Sequence, residues 1–181
     1  MEIFTSTLLT FIGVSLLLIW YVNVFNKYQN YIIRINEAEN NIDSTLRKRY
    51  DLLNKSIGII ETYVETKDEV FQNFQDLRSQ KISNFDLDRK LYETINEFNK
   101  YKEQNQTLKS SEEFMRIEIS LHESEAEITA LRKYYSDIIT DYNKLMRTFP
   151  SNFVGKTCKY KTKKYFDGKN MEDDDINDFK L

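Results

Sequence analysis

One histidine, one cysteine and one run of three basic residues are where this chain offers side chains with chemistry to do. His122 has Glu118 four residues earlier, on the same face of a helix, and Glu123 beside it. A metal or acid–base role needs further ligands or a nucleophile held in place, and there is no second histidine to share the task. His122 therefore reads as a helix-surface residue. Cys158 stands among Lys156, Lys159 and Lys161, the kind of surroundings in which reactive thiols occur. A lone cysteine in a charged tail reads as incidental all the same. Arg47, Lys48 and Arg49 form the basic run. No catalytic residue, cofactor-binding residue or metal ligand is assigned from the sequence.

Composition narrows the architectures able to position such groups. The 181 residues include 4 Gly and 1 Pro, but 12 Tyr and 12 Phe. So few turn formers leave little material for hairpins, barrels or Gly-rich phosphate loops. Basic and acidic residues nearly balance, 26 against 29, for a net charge of −3. That balance lacks the basic footprint of a nucleic-acid binder. A single Cys and a single His exclude a disulfide framework and Cys/His zinc sites. An all-α chain remains.

Residues 3–25 carry no charge and are mostly apolar. As a helix they rise roughly 35 Å, enough to cross a hydrocarbon core of about 30 Å. Trp20 and Tyr21, near the far end, suit the aromatic belt of a membrane interface. A cleaved signal peptide would want a basic start and a small-residue cleavage site. The chain instead begins Met1-Glu2 and continues through Tyr21-Val22-Asn23-Val24-Phe25. Gly13 and Ser15 are small residues, but Leu17 stands four places after Gly13, and they complete no small-xxx-small pair for close helix contact. Lys27 and Arg34 follow the span and no basic residue precedes it, so the positive-inside rule expects the N-terminus outside and the rest in the cytoplasm. The expected localisation is the cell membrane, with a single pass.

Beyond the anchor, apolar residues recur every three or four positions, the signature of a bundle or coiled-coil seam. One helix continues from the anchor through Tyr28, Ile35, Ile42, Leu46, Leu53, Ile57, Ile60, Val64, Phe71, Phe74 and Leu77. A second begins near the candidate caps Ser83, Asn84 and Asp86 and carries Leu87, Leu91, Ile95, Phe98 and Tyr101. Ser110-Ser111-Glu112-Glu113 opens a third, whose seam runs Phe114, Ile117, Leu121, Ser124, Ile128, Leu131, Tyr135, Ile138, Tyr142, Leu145 and Phe149, before Pro150. Short breaks favour antiparallel neighbours. The expected fold is all-α, an N-terminal transmembrane helix continuing into an antiparallel three- or four-helix bundle. Its expected parts are the anchor (1–26), the bundle (27–154) and a charged, mobile tail (155–181).

This register bears on the basic run. Arg47 lies about 20 residues past the membrane, roughly 33 Å along a helix, whereas a headgroup-binding cluster must act within a Debye length of about 8–10 Å. Arg49 instead falls between seam residues Leu46 and Leu53, which turns it inward. An inward guanidinium needs a carboxylate, with Asp141, Glu125 and Glu127 as candidates. Tyr134, Tyr135 and Tyr142 are expected to bury their rings with the hydroxyls paired. An up-down-up path would point the third helix away from the bilayer, leaving the lysine-rich tail solvated beside its own acidic end, Glu172 to Asp178.

Two blocks of sequence resemble the LemA family. The first is Tyr28-Gln29-Asn30-Tyr31-Ile32, Glu37-Ala38, Asn41-Ile42-Asp43, Leu46-Arg47-Lys48-Arg49-Tyr50-Asp51-Leu52-Leu53 and Glu61-Thr62-Tyr63. Asn54 stands where the family has a proline, which makes the helix more regular there. The second runs Glu125 to Tyr135, then Asp141-Tyr142-Asn143, Thr148-Phe149-Pro150-Ser151-Asn152 and the aromatic pair Tyr165-Phe166. The resemblance implies a bacterial, all-helical protein on one N-terminal anchor, without an established enzymatic activity. Relatives are often encoded near membrane metalloproteases, and one branch is associated with magnetosome membranes. The expected function is a non-enzymatic, membrane-anchored scaffold with protein partners. The alternative is an accessory subunit or adaptor of a membrane protease or transporter. A hydrolase using Asp and Glu alone has no convergent pocket signal. No cofactor, nucleic acid or small-molecule substrate is expected.

Overall fold

A computed structural model describes residues 1–63, 74, 77 and 82–167. The helices are α1 (Glu2–Tyr63), α2 (Asn84–Gln104), α3 (Gln106–Lys109), α4 (Glu112–Arg147) and α5 (Ser151–Thr157). No strand occurs among the described residues. The chain divides into two compact units, one of Met1–Glu37 with Tyr135–Leu181 and one of Ala38–Tyr134.

α1 is unbroken through Asn54 and Gly58, which agrees with the absence of a proline there. Its first 25 residues expose Phe4, Leu9, Phe11 and Leu17, and the apolar window within it has no buried share. It is long and apolar enough to cross a membrane. The hydroxyls of Thr5, Thr7, Thr10 and Ser15 each donate to a carbonyl three or four residues back, at 2.8–2.9 Å. That satisfies these groups in a medium without water.

In the unit of residues 38–134, Ile42, Leu46, Leu53 and Ile57 of α1 pack with Leu91 and Phe98 of α2 and Phe114, Leu121 and Ile128 of α4 to form the core. Ser83 caps α2 reciprocally: its Oγ accepts from the Asp86 amide at 3.1 Å and donates to the Asp86 carboxylate at 2.6 Å. Phe98 and Phe114 stack at 4.5 Å across the α2–α4 pair. Phe74 stacks on Tyr50, also at 4.5 Å. Val64 and Phe71 of the expected seam lie outside the described residues.

The up-down-up path is corrected. Thr45 meets Glu127 and Arg49 meets Glu125, so α4 runs antiparallel to α1. Arg132 meets Asp88 while Phe114 meets Phe98, so α2 runs antiparallel to α4 and parallel to α1. Hydrophobic periodicity fixes which face of a helix is buried but is the same read in either direction. Phe149, Leu131 and Leu145 of the expected α4 seam also differ. Phe149 is 81% exposed, because α4 ends at Arg147 and Phe149 falls in the turn before Pro150. Leu131 and Leu145 are half-buried rather than enclosed.

Burial therefore predicts unequal costs on one helix. Ile128→Ala should lose about 2–5 kcal/mol through lost transfer energy and a cavity. Leu131→Ala should lose less, about 1–2 kcal/mol, since part of its surface is already in water. Denaturant unfolding of the two variants measures the difference, and equal losses would contradict this packing.

Candidate functional site

Residues 38–134 enclose an ion network. Arg49, on the α1 seam, has no exposed side-chain surface. Its Nη1 donates to Asp88 Oδ1 of α2 at 3.2 Å, and its Nη2 donates to Glu125 of α4. Arg132, also on α4, donates to the other oxygen of Asp88. Two cations and two carboxylates thus balance across three helices. Among the described residues, the Arg49 Nε has no hydrogen-bond partner. Of the three carboxylates expected for Arg49, Glu125 is the one it meets. Glu127 instead accepts from Thr45 at 3.2 Å and pairs with Lys48 at 3.6 Å, and Arg47 pairs with Asp43 at 2.8 Å. Asp141 belongs to the other unit, where its charge acts on Tyr31.

Sequence reasoning missed Asp88. It assigned Leu87 to the α2 seam, whereas Asp88, Leu91, Thr94 and Phe98 are the buried residues. The available signal was an aspartate three residues before Leu91, in step with the seam and opposite an inward arginine.

The second cluster lies in the unit of residues 1–37 and 135–181. Tyr28 is wholly buried on α1. Its hydroxyl is shared between the carbonyls of Leu145 at 2.9 Å and Ser151 at 3.1 Å. Ser151 Oγ in turn donates to the Leu145 and Thr148 carbonyls, at 2.8 and 2.7 Å. Gly155 permits this approach, because a Cβ there would lie 2.9 Å from the Tyr28 hydroxyl and 2.8 Å from Met146 Sδ. α5 ends in a reversal with Lys159 at φ 56°. The amide of Tyr160 bonds to the Gly155 carbonyl at 2.9 Å and that of Lys159 to the Lys156 carbonyl at 3.1 Å, the bonding of a Schellman motif.

From this reversal, residues 160–165 lie along α4. Asn143 holds Lys163 on both sides, accepting from its amide at 2.9 Å and donating to its carbonyl at 2.8 Å. Tyr142 donates to the Lys161 carbonyl at 3.0 Å, Tyr135 donates to that of Lys164 at 3.4 Å, and Thr140 pairs with the Tyr165 hydroxyl at 3.0 Å. Residues 155–167, expected to begin a mobile tail, are thus tied to a helix by its side chains. The fixed donors and acceptors of Tyr142 and Asn143 outweigh the local charge that suggested a solvated chain. The acidic segment 172–178 lies outside the described residues. Cys158 is half-buried, its Sγ 3.6 Å from the Tyr21 hydroxyl. His122 is exposed on α4, and Tyr134 is 38% exposed. Among the described residues, no group of three or more His, Cys, Asp or Glu is placed to hold a metal ion.

Tyr135, Tyr142, Asn143, Ser151 and Tyr165 of this clasp belong to the second sequence block, and Tyr28 opens the first. A family model for the LemA family matches residues 38–177, more than half of the chain. The chain belongs to the LemA family. Comparison with curated proteins and with solved structures gives no match. In this LemA protein Tyr142, Asn143 and Ser151 are structural, since their side chains engage carbonyls or an amide of the chain's own backbone.

Burial disfavours the charged phenolate and sets the electrostatics of the clasp. The Tyr28 phenol is pushed up to about 12, by burial first and then by the neighbouring Tyr142. Burial also raises Tyr142 and Tyr160, and it raises Tyr31 with help from Asp141. A phenol raised in the folded state stabilises the fold fully below its unfolded pKa of about 10, and loses that contribution as pH climbs toward the folded value. Unfolding free energy should therefore fall between about pH 10 and 12. Tyr28→Phe should lower stability at neutral pH and flatten that alkaline fall. An alkaline slope identical to that of the parent chain would contradict the assignment.

Proposed function

We propose that this LemA protein is a single-pass, non-enzymatic scaffold, with its N-terminus outside and its bundle presented to protein partners in the cytoplasm. The observation that carries this reading is the pairing of Arg49 and Arg132 with Asp88 and Glu125. Catalytic sites hold perturbed or poised ionisable groups in a cleft, whereas here the interior charges are engaged with one another. Lys27 and Arg34, just past the span, support the orientation. On the outside of the bundle, Met115 and Ile119 lie one turn apart on α4 and are each about half exposed. Such apolar positions offer a protein partner contact area.

A second reading has the chain act as an adaptor through its anchor, on a membrane protease or transporter. Gly13 favours it, because among the described residues nothing lies within 4 Å of the place a Cβ would occupy, leaving that face of the span open to another helix. Photo-cross-linking in intact membranes from position 119 and from position 13 separates the two readings. The scaffold reading expects protein adducts from 119, whereas adducts from 13 alone favour the adaptor. Orientation is tested by protease treatment of sealed vesicles. The C-terminal half should be digested in inverted vesicles and protected in right-side-out ones, and the opposite pattern would overturn the topology.

A further inference from the structure

The turn before α5 and α5 itself hold two phenylalanines outward. Phe149 is 81% exposed and Phe153 63% exposed. They are four residues apart, and Lys156, Lys159 and Lys161 follow, all exposed. The opposite side of α5, with Ser151, Val154 and Gly155, is buried. In water such an aromatic pair would be an unsatisfied apolar patch.

Its level along α1 identifies what covers it. Cys158 Sγ stands against the hydroxyl of Tyr21, in the span. The Ser151 carbonyl accepts from Tyr28, and the Tyr160 hydroxyl meets Gln29. The apolar run ends at Phe25 and the first charge past it is Lys27. From Phe25 to Tyr28 the helix climbs only about 4.5 Å, within a headgroup layer of roughly 5–8 Å on each side of the hydrocarbon core. The antiparallel course of α4 thus returns the Phe–Lys segment to the membrane end of the anchor.

We propose that the Phe149–Phe153 edge inserts at the headgroup–acyl boundary of the leaflet where the span emerges, with Lys156, Lys159 and Lys161 on acidic phospholipid headgroups. This adds an interfacial contact to the transmembrane one, and it rests on the reading of residues 3–25 as a span. Aromatic rings favour this depth, and a lysine near an anionic surface is attracted within a Debye length. The occupant is the bilayer that holds the chain's own anchor. Two contacts at one level would fix the tilt and rotation of α1 as it leaves the membrane.

The full chain, reconstituted in phosphatidylcholine vesicles with and without phosphatidylglycerol, provides the test. Trp20 is the sole tryptophan and reports the span directly. Trp20→Phe/Phe153→Trp reports the proposed edge, and Trp20→Phe/Ile33→Trp is the control, since Ile33 is 62% exposed and eight residues past Phe25. With lipids brominated near the headgroup, position 153 should lose emission as strongly as Trp20 and shift to the blue, more so with phosphatidylglycerol present. Position 33 should keep its emission. If position 153 behaves as position 33 while Trp20 is quenched, the interfacial contact is overturned and the span stands. If Trp20 itself escapes quenching, the span reading fails. Quenching at 153 that ignores phosphatidylglycerol would overturn the role of the lysines.

Discussion

A guanidinium with no access to water must be neutralised where it sits, and around Arg49 that requirement reaches into three helices. Removing two opposite charges from water costs several kcal/mol per ion unless geometry and further hydrogen bonds offset it. Asp88 of α2 supplies one oxygen to Arg49 and the other to Arg132, while Glu125 of α4 takes the second Arg49 amino group. Leu, Ile and Phe side chains tolerate a helix sliding by a turn, because they pack nearly as well against one another in either register. A buried charge does not, since one turn of slip leaves it unpaired. The core of residues 38–134 therefore has one alignment of α1, α2 and α4 that satisfies its charges.

Directional bonds do equivalent work in the other unit. The Tyr28 hydroxyl and the Asn143 amide act on backbone carbonyls and amides of residues 145–163. They require Gly155 for clearance and a left-handed Lys159 for the reversal. A lysine-bearing segment that would otherwise be solvated becomes a strap along α4. The exposed Phe149 and Phe153, in the turn before α5 and on α5, belong to the stretch whose Ser151, Cys158 and Tyr160 meet Tyr28, Tyr21 and Gln29 of α1.

Much of this was legible in the sequence because periodicity is a local signal. The start of α4, the Ser83 cap and the inward turn of Arg49 follow from three- and four-residue spacing within one segment, whereas Glu125 was one of three carboxylates open to Arg49, and the first helix does not continue to Phe74, which stacks on Tyr50. The direction of α4 does not follow from spacing either, because a seam reads the same forwards and backwards. Asp88 was hidden by an adjacent leucine, since Leu87 fits the α2 seam almost as well as the aspartate beside it. The strap was hidden for another reason. Its stability comes from Tyr142 and Asn143, some twenty residues before their backbone partners, while composition near residue 160 reports only charge. Resemblance had marked Tyr142, Asn143 and Ser151 as distinctive, but their role follows from the backbone atoms they meet.

The claim that buried charges set the assembly of residues 38–134 is tested most directly by a double-mutant cycle on Arg49→Met and Asp88→Leu, read by denaturant unfolding. Each single change takes away one of its partner's two counter-charges inside the core and should cost up to about 3–5 kcal/mol. The double variant should cost less than the two together by at least about 2 kcal/mol, because neither charge is then left buried without the other. Costs that add to within about 0.5 kcal/mol would contradict the account, leaving apolar packing alone to align the three helices.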